Sequence, residues 1–164
     1  MKRFAISIFA IAALINPING QEEKGTDKAK KIVSQFTTKF AANDIDATMK
    51  LADVPFVHNF NDPQKNEVIR DRDALKKLLQ KILESAQGKK IQFEVADVIT
   101  HAKLLEIEGD KISKEDRKLL DEIVGKEGYF LKVDVKDDQG KMINRLKIIV
   151  GSRGKELKVV GWKG

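Results

Sequence analysis

Four residues of this sequence combine side-chain chemistry with a position near predicted strands: His58, Asn59, Tyr129 and Asp97. Histidine serves as an acid or a base near neutral pH, and a carboxylate that lies inside a protein does the same once burial raises its pKa. A tyrosine hydroxyl donates a hydrogen bond into a pocket. We therefore treat these four as weak catalytic candidates, and the catalytic residues themselves are not identified.

Each candidate also has a purely structural interpretation. Alternation along a strand places His58 and Asn59 on opposite faces, so only one of them can point inward. Asp97 falls where the alternation slips at Ala96-Asp97, which predicts a surface bulge. Tyr129 shares a face with Leu131, and core packing with its hydroxyl at the rim fits that position. A functional His101 is a weaker hypothesis. Two histidines without helical spacing make a poor metal site, so we expect no metal.

Helices precede strands along the chain, which predicts an α+β fold. Apolar residues at three- and four-residue spacing predict helices that begin at Thr26, at Asp44 and at Asp71 or Asp73. Past Gly88 the pattern alternates, which predicts an antiparallel sheet. Asn61-Asp62-Pro63, Asp137-Asp138-Gln139-Gly140 and Gly151-Ser152-Arg153-Gly154 are predicted turns. One short helix, from Ser113 to Val124, is inserted between two strands.

The amino terminus has the parts of a secretory signal peptide. Met1-Lys2-Arg3 is basic, an apolar run follows, and Pro17 and Gly20 come before a polar stretch. An apolar run of about a dozen residues is short for a membrane-spanning helix, which needs about 20. A cleaved signal is therefore favoured over the alternative, a retained membrane anchor.

This interpretation divides the chain into three parts. Residues 1–20 are the predicted signal peptide, 21–26 a flexible tail and 27–164 a single domain. The protein would then be exported, either periplasmic or secreted, with no membrane span after cleavage.

The composition fits a domain that is stabilised by its core, with 41% hydrophobic and 34% charged residues. The absence of cysteine excludes disulfides, thiol catalysis and Cys-ligated zinc. The formal charge of +6 falls to +4 without Lys2 and Arg3, and basic residues concentrate after residue 139. This concentration is explained by the solvated face of a hairpin, and an anionic partner is the less favoured alternative.

The stretch Ala42-Asn43-Asp44-Ile45-Asp46-Ala47-Thr48-Met49-Lys50-Leu51-Ala52-Asp53, followed by Phe56-Val57-His58-Asn59, resembles the nuclear transport factor 2-like superfamily. That superfamily includes ketosteroid isomerase and the SnoaL-like polyketide cyclases. The resemblance covers about residues 27 to 163 and includes the late Trp162. It implies three amino-terminal helices packed in the concave face of a curved, cone-shaped sheet whose open end forms a mostly apolar pocket.

The same resemblance places ligand-binding positions at Phe36, Phe40, Asn59, Tyr129 and Arg145. In the isomerases of the family an aspartate base works with a tyrosine and a protonated acid. Those positions fall on Asn59, Phe36 and near Arg145, and all three residue types differ from the isomerase pattern. The resemblance therefore supports the fold more than the isomerase reaction.

Three functions are compatible with these observations. The first is an exported, non-catalytic module that binds a small ligand or serves as an accessory domain, with an apolar small molecule as its possible partner. The second is an isomerase, cyclase or hydrolase with a rearranged set of groups. The third is a structural domain that forms a homodimer through the outer face of the sheet. No cofactor is expected.

Overall fold

The computed structural model describes residues 20–59, 67–85, 91–108, 112–125 and 127–163. Five helices and six strands lie in these ranges. The helices are α1 (Gly20–Ala41), α2 (Ile45–Leu51), α3 (Arg72–Ser85), α4 (His101–Glu108) and α5 (Lys114–Val124). The strands are β1 (Ala52–His58), β2 (Glu67–Ile69), β3 (Gln92–Thr100), β4 (Tyr129–Lys136), β5 (Met142–Arg153) and β6 (Glu156–Lys163).

Two of the predicted helix caps are confirmed. The Asp44 carboxylate accepts a hydrogen bond from the backbone N–H of Ala47 at 3.0 Å, and the Asp71 carboxylate accepts one from Ala74 at 2.8 Å. A side-chain oxygen at this position satisfies a backbone donor that the helix itself leaves without a partner. The sequence therefore determines where α2 and α3 begin. The predicted stop of α3 at Gly88 and the turn at residues 61–63 lie outside the described residues.

Helix α1 begins at Gly20, earlier than the predicted start at Thr26. Residues 21–26, expected to form a tail, lie within this helix. Glutamine, glutamate and lysine are good helix formers, so the segment before Thr26 continues the helical conformation. The division between signal peptide and domain stays a prediction.

The sheet has the strand order β2-β1-β6-β5-β4-β3 and curves around α1 without closing. Four of its five neighbouring pairs are antiparallel, whereas β1 runs parallel to β6. The sheet is therefore mixed, which corrects the expectation of a wholly antiparallel one. A parallel pair needs a long crossover, and here the chain from β2 through β5 supplies it.

Strand β3 contains the bulge that the alternation predicted, because its register with β4 shifts between Val95 and Asp97. The predicted turn near residue 138 is also present, with Gly140 at a φ of 79°. The last turn differs from the prediction. Gly151 to Arg153 belong to β5, and the reversal is made by Gly154, whose φ is 62°, and Lys155.

The inner face of the sheet packs against α1 and forms the main core. Ala29, Val33, Phe36 and Phe40, spaced three or four residues apart, are almost fully buried. They contact alternate residues of the sheet: Tyr129, Leu131, Val133 and Val135 of β4, Leu146, Ile148 and Val150 of β5, and Val159 and Trp162 of β6. The fold implied by the resemblance is confirmed.

The outer face has a core of its own, which the sequence did not predict. Two helices, α4 and α5, lie between β3 and β4 where one was expected, and the side chain of Thr100 accepts a hydrogen bond in the first turn of α4. Their buried residues pack on the outer face of the sheet: Leu104, Leu120, Ile123 and Val124 against Val57, Phe130, Ile149 and Val160. The inserted helices thus neither cap the cone nor extend the sheet.

Candidate functional site

The resemblance placed a ligand pocket at Phe36 and Phe40, and the structure packs both rings against Trp162. The Trp162 ring meets them edge to face, with centroid separations of 5.8 Å to Phe36 and 5.0 Å to Phe40. The two phenylalanine rings stack at 6.3 Å, and all three side chains are at most 5% exposed. These aromatic rings therefore fill the space between α1 and β6.

His58 and Asn59 form a polar corner where β1 ends beside β6. The backbone N–H of Asn59 donates to the carbonyl of Trp162 at 3.0 Å, which fixes the corner next to the aromatic rings. Asn59 has a φ of 55°, in the left-handed region that asparagine tolerates better than most residues. Its side-chain amide lies 3.3 Å from Nδ1 of His58. We call this pair the His58–Asn59 corner.

The surroundings of His58 favour its neutral form. Alternation places it on the inner face with the buried Phe56, and partial burial lowers its pKa below the usual 6.5. Glu67, its partner in the register of β2, opposes that shift. When the Asn59 amide donates to Nδ1, the ring proton lies on Nε2. The corner can therefore donate one hydrogen bond from a neutral imidazole, or exchange a proton as an acid or a base.

Tyr129 lies at the other end of α1. A Cβ atom built on Gly25 would be 2.0 Å from the Tyr129 hydroxyl oxygen, so this hydroxyl lies directly against the backbone of the helix. Gly25 and Phe40 are separated by about 22 Å along a helix that rises 1.5 Å per residue. Since Trp162 links Phe40 to the His58–Asn59 corner, Tyr129 and the corner are far apart.

Asp97 and Arg145 lie on the outer face. Asp97 is an ion-pair partner of Lys132, with Oδ2 and Nζ 3.0 Å apart. Arg145 donates from Nε to the carboxylate of Asp134 at 2.6 Å, and that contact holds the pKa of the carboxyl below its usual range. The sheet thus separates both residues from Phe36, Phe40 and His58. The five residues expected to bind one ligand are not brought together, and their role in binding stays a prediction.

The register of the sheet creates a cluster that the sequence did not reveal. Asp97 of β3 is opposite Lys132 of β4, Lys132 is opposite Lys147 of β5, and Lys147 is opposite Lys163 of β6. Lys132 and Lys147 each lie between inward-facing neighbours, so their side chains are on the outer face. Asp97 and Lys163, which are directly opposite them in the register, share that face. We call Lys132, Lys147 and Lys163 the lysine row. Like charges directly opposite each other destabilise a sheet, which makes the row a costly arrangement.

Lys147, at the centre of the row, is a strongly perturbed basic group. Partial burial, together with the positive charges of Lys163 and Lys132, lowers its pKa to about 8. A shallow cleft adjoins the row, lined by Asp97, Ile99, Phe130, Leu131, Lys132, Lys147 and Ile148. Ile99 and Phe130 belong to the edge of the outer core under α4 and α5. The row therefore lies where the apolar part of the outer face meets its charged part.

The outer core and the lysine row are the features that sequence reasoning missed. The sequence does show that Lys147 and Lys163 belong to a basic carboxy-terminal region, and that Lys132 alternates with buried residues of β4. Strand register decides which of these lysines are neighbours, and register is set by contacts between distant segments.

Within residues 20–59, 67–85, 91–108, 112–125 and 127–163, no group of three or more His, Asp or Glu side chains is arranged to hold a metal ion. In the same ranges, no helix combines the length and the apolar character that crossing a membrane requires.

No protein-family model matches the sequence, and no curated protein sequence matches it significantly. Solved structures do match. An NTF2-like protein of unknown function from Pseudomonas putida is 9% identical, with a TM-score of 0.52 over 87% of this chain and 85% of that chain. A protein from Catenulispora acidiphila is 5% identical, with a TM-score of 0.53 over 88% of this chain and 93% of the other.

A third match is the structure of Aln2 from a Streptomyces species, which is 7% identical. Its TM-score is 0.50, over 85% of this chain and 88% of that chain. At such low identities the likeness establishes the fold and leaves the activity open.

Proposed function

We propose that this chain, which has the nuclear transport factor 2-like fold, is an exported, non-catalytic binding module. The observation that carries the proposal is the separation of its acid–base candidates: the His58–Asn59 corner and Tyr129 lie at opposite ends of α1, and Asp97 lies on the other face of the sheet. General acid–base catalysis requires its groups to reach one reacting centre. This arrangement does not provide such a centre.

The residues at the three isomerase positions also lack the chemical groups that the isomerase reaction requires. An asparagine amide at 59 does not accept a proton near neutral pH, and Phe36 has no hydroxyl to donate. Arg145 is held by Asp134 on the outer face, where it faces away from α1. The chemistry of the ketosteroid isomerases is therefore not supported in this chain.

A rearranged enzyme site is the second candidate, because the half-buried His58 has a lowered pKa and a hydrogen-bonded neighbour. That combination is found at catalytic histidines and also at structural ones. An isomerase, cyclase or hydrolase of this kind would need the corner alone to supply its proton transfers. Replacing His58 by glutamine would then abolish turnover of any substrate found, whereas a binding module would show no turnover with or without the replacement.

Binding through the interior is less well supported than binding through the surface. An apolar ligand near Phe36 and Phe40 would have to separate rings that are already in contact. A homodimer through the outer face would meet α4 and α5 over its apolar part. The half-buried His58–Asn59 corner and the charged part of the outer face are therefore better surfaces for a partner than the packed interior.

Export is supported by the basic and apolar segments of residues 1–20. The test is expression of the full chain in a bacterial host, followed by separation of periplasm and cytoplasm and determination of the mature amino terminus. We expect a chain that begins at or near Gln21 in the periplasm. An intact Met1 in the cytoplasm would contradict the proposal. Replacing Leu14 by arginine should block processing, whereas replacing the exposed Lys155 by glutamine should not.

Binding is tested separately on the mature chain. A screen of thermal unfolding against apolar small molecules and anionic glycans should reveal at least one compound that raises the unfolding midpoint, because a ligand that binds the native state stabilises it. A complete lack of stabilisation across both groups would remove the support for a binding module.

A further inference from the structure

We propose that the exposed side of α1 is a docking surface for an anionic polysaccharide. Four exposed lysines form this surface, which we call the basic face of α1: Lys24, Lys28, Lys31 and Lys39. The inference rests on the proposed function, an exported binding module, and it names the class of partner and the surface. It is based on the spacing of the four lysines, on their exposure and on the charges around them.

The four lysines follow one line along the helix. Lys28 and Lys31 come four and seven residues after Lys24, and Lys39 comes fifteen residues after it. Residues at these intervals share one side of a helix with 3.6 residues per turn, and at 1.5 Å per residue the line is about 22 Å long. The opposite side of α1 holds its buried residues, which are Ala29, Val33, Phe36 and Phe40. Because that side is packed on the sheet, the basic face is presented to solvent in a fixed orientation.

The charge of the basic face is not offset by neighbouring carboxylates. From Lys24 to Ala42 the sequence has five lysines and one acidic residue, Asp27. The carboxylate of Asp27 lies 4.0 Å from the ammonium group of Lys30, the lysine outside the basic face. Within the part of the chain that the structure describes, the four lysines of the basic face form no ion pair. Their ammonium groups are therefore available to an anionic partner.

Removal of the signal peptide would add to this charge. Cleavage after Gly20 leaves a new amino terminus at Gln21, about one helical turn before Lys24. An α-amino group is mostly protonated at neutral pH, so the mature chain would carry a further positive charge at this end of α1.

A linear polyanion suits a straight line of positive charges, because each lysine can contact a different anionic group along the polymer. Insertion into a membrane is disfavoured, since the apolar side of α1 is already buried in the core. A nucleic acid is also disfavoured. The exposed residues from Lys24 to Ala42 include no aromatic residue for stacking and no arginine for bidentate contacts with phosphate. Export would bring the protein to the polysaccharides outside the cytoplasm.

The probe for the basic face is dextran sulfate, with uncharged dextran as the ligand control. Its affinity for the mature chain is measured by titration calorimetry at several concentrations of sodium chloride. The test variant combines Lys24→Gln, Lys28→Gln and Lys31→Gln. The matched control removes three exposed lysines from other helices and has the same net charge: Lys77→Gln, Lys81→Gln and Lys118→Gln. Glutamine forms helices about as well as lysine does, so both variants should fold, and urea unfolding checks this.

We expect the wild type to bind dextran sulfate and not dextran. The test variant should bind dextran sulfate at least tenfold more weakly, and the control should bind like the wild type. Binding of a polyanion releases its counterions, so the dependence of log Kd on log salt should become less steep in the test variant alone. Equal losses of affinity in the two variants, or a wild type without affinity for dextran sulfate, would overturn the proposal.

Two further probes separate the classes of partner: vesicles that contain phosphatidylglycerol, and a DNA duplex. If either binds more tightly than dextran sulfate and loses its affinity in the test variant, the basic face serves that partner and the polysaccharide is refuted. The fractionation test of export is independent of these measurements. A cytoplasmic chain that binds dextran sulfate through the basic face contradicts export alone, whereas an exported chain without affinity for dextran sulfate contradicts this inference alone.

Discussion

Phe40 and Trp162 meet edge to face with their ring centroids 5.0 Å apart, which joins the last turns of α1 to the last strand of the sheet. The same tryptophan accepts a backbone hydrogen bond from Asn59 through its carbonyl oxygen. Trp162 therefore connects the aromatic core to the His58–Asn59 corner, and the position of the corner depends on how tightly that core is packed.

Replacing Phe40 by alanine should lower the free energy of unfolding by about 3–5 kcal/mol, the usual cost of removing a large buried aromatic side chain. Phe40 is 2% exposed, and its loss would leave a space beside Phe36 and Trp162. Urea unfolding measures the change. Ile143→Ala is the control, because Ile143 is 50% exposed and its truncation should cost little. If the two variants are equally stable, the rings line a pocket and are not part of a packed core.

Replacing Gly151 by alanine should destabilise the protein by about 1–3 kcal/mol, as overpacking commonly does. A Cβ atom at this position would be 2.7 Å from the carbonyl oxygen of Ile123 and 2.9 Å from a methyl group of Val160. The carbonyl belongs to the backbone of α5, so the helix itself would have to move away from the sheet. Urea unfolding of Gly151→Ala is compared with Lys155→Ala, an exposed change in the adjacent turn. Equal stabilities would show that α5 is not held closely against β5.

Lys147, at the centre of the lysine row, should make the free energy of unfolding depend on pH in the alkaline range. The pKa of Lys147 is lowered to about 8 in the folded chain, from 10.5. Between these values the unfolded chain binds more protons, so the free energy of unfolding rises with pH. Below about 8 the charged Lys147 is destabilising. Among the described residues, Lys163 and Lys132 help to lower its pKa, and Asp97 lies beyond Lys132 in the register. Lys147→Gln should be more stable than the wild type at neutral pH and should lack this rise. Parallel curves of unfolding free energy against pH would contradict the prediction.

His58 should make the free energy of unfolding depend on pH in the acidic range. Burial lowers its pKa in the folded chain, whereas the unfolded chain retains the usual value of 6.5. The unfolded chain therefore takes up more protons as the pH falls through that value, and stability declines. Among the described residues, Glu67 and the Asn59 amide are polar groups near the ring, and Glu67 reduces the effect. Between about pH 7 and about pH 5, the wild type should lose more stability than His58→Gln. A larger loss in the variant would refute this assignment.

Local features of the fold could be predicted because local sequence causes them. Asp44 and Asp71 cap their helices through hydrogen bonds to residues three positions away, and the slip at Ala96-Asp97 is the bulge of β3. The amphipathic spacing of α1 also identifies the face that packs on the sheet. The resemblance extended these local predictions to the correct overall fold.

The candidate site could be predicted less well, because it depends on which strands become neighbours. The sequence identified His58 and Asn59 as polar residues at a strand end, and they do form a hydrogen-bonded pair. It also grouped Arg145 with Phe36, whereas the structure places these residues on opposite faces of the sheet. The resemblance assigned ligand-binding positions without taking account of α4 and α5. These two helices pack on the outer face of the sheet and cover its apolar part.

The sequence by itself determined α1, α2, α3 and α5, the caps of α2 and α3, and the composition of the inner core, since periodicity and capping act over a few residues. The tertiary structure decided the parallel pairing of β1 with β6, the covering of the outer face by α4 and α5, and the alignment of Lys132, Lys147 and Lys163 in one row. These features depend on register, and a shift of one residue in a strand would turn its lysine toward the other face.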